Sequence, residues 1–107
     1  MMQYEMMDRE NDLRVRVARL DSRLESLRTR REDAKVGLQR AMADIEKFKM
    51  GRAPETDIEE LEDIWSELLH TYRTLSHQVR TLEQRQRAAA KQHHNYLAAL
   101  GGLRRRE

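Results

Sequence analysis

The chain has 107 residues, of which 37% are charged and 38% apolar, with a net charge of +2. That length allows one domain at most, and the apolar share is too small for a compact globular core, though enough for the narrow stripes of a two-helix seam. The absence of Cys excludes disulfides, thiolate zinc sites and cysteine nucleophiles.

Residues 1–8 lack the basic start and apolar stretch of a secretory signal. From there the apolar residues of the first segment step by four and three: Leu13, Val17, Leu20, Leu24, Leu27, Ala34, Leu38, Ala41, Ile45 and Phe48, interrupted by Arg31. A heptad stripe sustained this long predicts a coiled-coil helix over about residues 3–49. Lys47 and Lys49 suit its last turn, and Gly51 suits a left-handed cap beyond it. Gly37 falls in mid-helix, where the pattern places it on the outer face.

Pro54 and Gly51 punctuate a connection of residues 50–55. Thr56 followed by Glu59 reads as a capping box, with Asp57, Glu59 and Glu60 favouring the positive end of a helix dipole. The second stripe runs Ile58, Leu61, Trp65, Leu68, Tyr72, Leu75, Val79 and Leu82. It continues through Gln86, Ala89, His93, Tyr96, Leu100 and Leu103, predicting a helix over about 57–100 and a basic tail over 101–107 that opens on Gly101-Gly102.

Two long helices joined by so short a connection must lie antiparallel. The predicted fold is therefore all-α, an antiparallel two-helix coiled-coil hairpin, with each arm about 65 Å long. Folding the chain about residue 53 pairs seam positions whose numbers sum to 106. Ala41 then faces Trp65 and Ala34 faces Tyr72, so small residues meet bulky ones, as interdigitating layers require. Leu38 faces Leu68, Leu27 faces Val79 and Leu24 faces Leu82. The polar seam residues, Arg31, Gln86, His93 and Glu10, fix register at some cost in stability.

No constellation for catalysis appears. His70 and His77 are two helical turns apart and His93 and His94 are adjacent, so neither pair has the spacing of a metal site. The carboxylates between residues 55 and 67 lie on a solvated helix, with no pocket to perturb them. The chain is expected to be non-enzymatic, without cofactor or metal. No apolar run approaches the ~18 residues of a membrane span, and the expected setting is soluble and cytoplasmic.

Charge is unevenly spread. Residues 41–67 hold nine acids and three bases, a net −6; residues 9–31 hold eight Arg and four acids, a net +4. Residues 73–106 hold eight bases against Glu83, a net +7. A hairpin brings the two basic segments together, so Arg80, Arg85, Arg87, Lys91, Arg104, Arg105 and Arg106 are candidates for steering a charged partner. Near the turn the stripe of the second helix is wider than one seam needs. Ile58, Leu61, Ile64, Trp65, Leu68, Leu69 and Tyr72 form a face suited to burial against a second neighbour, most economically a second copy in a four-helix bundle. The expected function is a coiled-coil adaptor or assembly protein, a homodimer that contacts a protein partner and in one form escorts or chaperones a larger one. The alternative is a nucleic-acid-associated protein gripping phosphates non-specifically through the basic end. Sequence readout is not expected, because aromatics are not interleaved with the arginines.

Overall fold

The computed structural model describes residues 2–51 and 57–106. They form two α-helices, α1 (Met2–Lys49) and α2 (Ile58–Arg106), and no strand occurs among them. The fold is an antiparallel two-helix hairpin. Each helix far exceeds the length at which an isolated helix is marginal in water. Their stability nonetheless comes from packing an apolar stripe, since both sequences are rich in charge.

Every seam residue predicted above and within the described side chains is buried or half-buried. The described residues fall into two compact units, each with its own core. The turn-containing unit spans 26–79, and its core holds Leu27, Ala34, Ala41, Ile45, Leu61, Leu75 and Val79. Val79, with 0% exposure, is the fully buried side chain of this core. The terminal unit combines residues 1–25 with 80–107, and its core is thinner: Leu13, Leu24, Leu82 and Ala89. There the polar seam residues carry part of the packing. His93 Nε2 lies 3.0 Å from Glu10 Oε1, with both side chains part-buried. The two occupy neighbouring layers of the predicted register, so the bond crosses diagonally between layers. A paired His and Glu tolerate burial that either alone would resist.

The end of α1 follows its sequence signals. Gly51 has φ +73°, and its N–H donates to the carbonyl of Phe48 at 3.1 Å, the bond expected of a glycine one position past a helix cap. The carbonyl of Asp57 accepts from Leu61 N–H at 3.0 Å, which puts Asp57 at the N-cap of α2. Thr56, the predicted cap, lies outside the described residues, as do 52–55 of the connection.

Beyond the shift of the N-cap to Asp57, the structure departs from the sequence reading in two places. α2 does not end near residue 100 but continues through Gly101 and Gly102 to Arg106. Both glycines keep negative φ. A helical glycine costs ~1 kcal/mol relative to Ala, which weakens a helix without stopping it.

Gly37 is the second departure. It does not face outward: a Cβ built on it would lie 3.2 Å from Leu68 Cδ2 and 3.3 Å from Leu68 Cδ1. The reason lies in its neighbours. Ala34, Gly37 and Ala41 stand at i, i+3 and i+7, a small-residue strip that meets Leu68 at Gly37 and that the predicted register sets against Tyr72 and Trp65 at its two alanines. Hydrogen at Gly37 leaves the volume that Leu68 fills. Gly37→Val should therefore destabilise the chain by about 1–3 kcal/mol through overpacking. Thermal unfolding checks this: a raised midpoint would mean that Leu68 can simply step aside.

Candidate protein-interaction site

Heptad packing uses two positions in seven, and residues flanking the seam are covered only at one edge. In the turn-containing unit these flanks are apolar on both helices. Met42 on α1 is 46% exposed and Ile64 on α2 is 40% exposed. Between the helices an open groove of about 410 Å³ is lined by Leu38, Gln39, Met42, Ala43, Glu46, Trp65 and Leu69. Trp65, which the predicted register sets against the short Ala41, is only half-buried. The groove is thus apolar along its floor, with Gln39 and Glu46 as its polar lining. An apolar floor with a polar rim is the usual anatomy of a protein contact.

The seven interface candidates separate by position. Leu61 is 4% exposed and belongs to the seam. Ile58, Leu68 and Tyr72 are half-buried seam residues, with Leu68 set against Gly37. Trp65 and Leu69 line the groove, and Ile64 is exposed. The α1 half of the groove was less legible. Met42 stands out as an apolar flank residue in the sequence, but Gln39, Ala43 and Glu46 carry no signal until both helices are in place.

Of the steering candidates, Arg80, Arg85, Arg87 and Lys91 are exposed. Arg87 Nη2 donates to Glu83 Oε2 at 3.4 Å, an i, i+4 pair on the surface of α2. Such pairs contribute only a few tenths of a kcal/mol, so Arg87 stays accessible to a partner. The side chains of Arg104, Arg105 and Arg106 lie outside the described residues. His70, His77 and His94 are exposed and His93 is held by Glu10. No three His, Asp or Glu side chains among the described residues converge on a point where a metal could bind. No helix among them is long and apolar enough to cross a membrane. Compared with known proteins, the chain matches no family model, no curated protein and no solved structure.

Proposed function

We propose that the chain is a non-enzymatic coiled-coil assembly protein that pairs with a second copy through the groove around Trp65. The observation that carries this reading is the groove itself: Trp65 half-buried beside Met42 and Leu69, with Ile64 exposed next to it. Leaving so large an aromatic wet wastes apolar area that a facing helix pair would cover. A second hairpin supplies two helices of matching length and the same apolar flank, and together they make a four-helix bundle. The paired hairpins would then present their charged outer surfaces to a larger protein client, in an adaptor or escort role within the cytoplasm. Non-specific phosphate binding by Arg80, Arg85 and Lys91 is the competing reading, supported by the charge of α2 alone.

Trp65 is the chain's single tryptophan, so its fluorescence reports on the groove directly. Diluting the protein should shift the emission to longer wavelength as sedimentation equilibrium shows dimer giving way to monomer. Trp65→Ala should abolish dimerisation while leaving the helical circular dichroism signal near wild type. A chain that stays monomeric at every concentration, with unchanging emission, would overturn self-association.

A further inference from the structure

A second groove, of about 470 Å³, opens on α1 of the terminal unit and is lined by Asp12, Val15, Arg16, Arg19, Leu20 and Arg23. Arg16, Arg19 and Arg23 stand at i, i+3 and i+7, so they share one face of the helix. Arg9, Arg16 and Arg23 also recur every seven residues, each four positions before a seam leucine: Leu13, Leu20 and Leu27. That flank position is the one by which coiled coils select a partner helix by charge. Here the row is uniformly basic.

The hairpin does not neutralise it. Across residues 80–106 of α2 the sole carboxylate is Glu83, and its Oε2 already accepts a bond from Arg87. On α1, Asp12 lines the groove, yet no hydrogen bond or ion pair joins it to the three arginines among the described residues. The floor between the arginines is apolar. Val15 is 38% exposed and Leu20 is half-buried.

We infer that this face binds an acidic amphipathic helix of a partner protein. Carboxylates at heptad spacing on that helix would meet Arg16, Arg19 and Arg23, and its apolar side chains would lie on Val15 and Leu20. Guanidinium groups grip carboxylates in a planar, bidentate geometry, which sets the register of the incoming helix as well as its charge. A phosphate backbone would engage the arginines and leave Val15 in water, and no aromatic side chain lines the groove for base stacking. A membrane surface requires a broad apolar face, and this groove offers one exposed valine. The site is separate from the Trp65 groove, so its failure would leave self-association through that groove untouched.

The test is a fluorescence-anisotropy titration of the full chain into a labelled designed peptide of three heptads, Leu along its seam and Glu along its flanks. A twin peptide with Lys in place of Glu and a labelled DNA duplex serve as the other probes. Wild type should bind the Glu peptide at least tenfold more tightly than the Lys twin, less tightly as salt rises, and should bind the duplex weakly. The triple variant Arg16→Glu, Arg19→Glu, Arg23→Glu should reverse that preference. The milder triple variant Arg16→Gln, Arg19→Gln, Arg23→Gln should lose discrimination with its helical signal intact. No preference between the two peptides in wild type would overturn the inference. So would tighter, arginine-dependent binding of the duplex, which would assign the face to nucleic acid instead.

Discussion

Val79→Asp is expected to unfold the turn-containing unit at room temperature. Val79 has no exposure to water, and the register sets it against Leu27, with the seam's Arg31 one layer away. Burying an unpaired carboxylate there should cost more than about 3 kcal/mol, a large share of the stability available to so small a core. The control is Val36→Asp on α1. Val36 is 37% exposed, and Asp and Val have similar helix propensities, so the change should stay within about 0.5 kcal/mol. Chemical denaturation followed by circular dichroism measures both. Equal losses at the two positions would mean that Val79 is not in the seam at all.

Leu24→Ala and Leu82→Ala should each cost about 2–5 kcal/mol. Both leucines are among the most buried side chains of the terminal unit, at 3% and 5% exposure, and the register pairs them directly. Together they should cost less than the sum of the two, because the second truncation enlarges a cavity that the first has already opened. Strict additivity would say that they do not touch, and the register would have to shift. The terminal unit is the right place for this test. Its core is thin, and the Glu10–His93 bond supports it in part, so each leucine carries a larger fraction of the local stability.

The seam was legible because a heptad repeat is a one-dimensional pattern. Leu13, Leu24, Leu27, Ile45, Leu75 and Leu82 are named by spacing alone, and all are buried. Gly51 was legible for a different reason, since a helix stop needs a residue that tolerates positive φ. What escaped depends on both helices at once. Gly37 reads as a mid-helix defect until Leu68 is set against it. Gln39 and Glu46 become part of a groove only when Trp65 and Leu69 arrive from α2. The arginine row of α1 was legible as net charge, but its apolar floor at Val15 and Leu20 was not. The continuation of α2 past Gly101 escaped because a double glycine lowers helix propensity without supplying a capping geometry that would end it.

The close approach of Leu68 to Gly37 bears on which alignments of the two helices the chain can adopt. A heptad seam is nearly self-similar, so sliding one helix by seven residues preserves most leucine contacts and is the natural competitor of the native pairing. One such slip would set Trp65 against Phe48 and drive Leu68 onto Asp44. The opposite slip would set Tyr72 against Leu27 and Leu68 onto Arg30. Each places bulk on bulk and buries a charge, whereas the native alignment sets Leu68 on Gly37 and, by the predicted register, Tyr72 on Ala34 and Trp65 on Ala41. The missing side chain at residue 37 thus makes the misaligned states expensive, selecting one pairing from a ladder of near-equivalents.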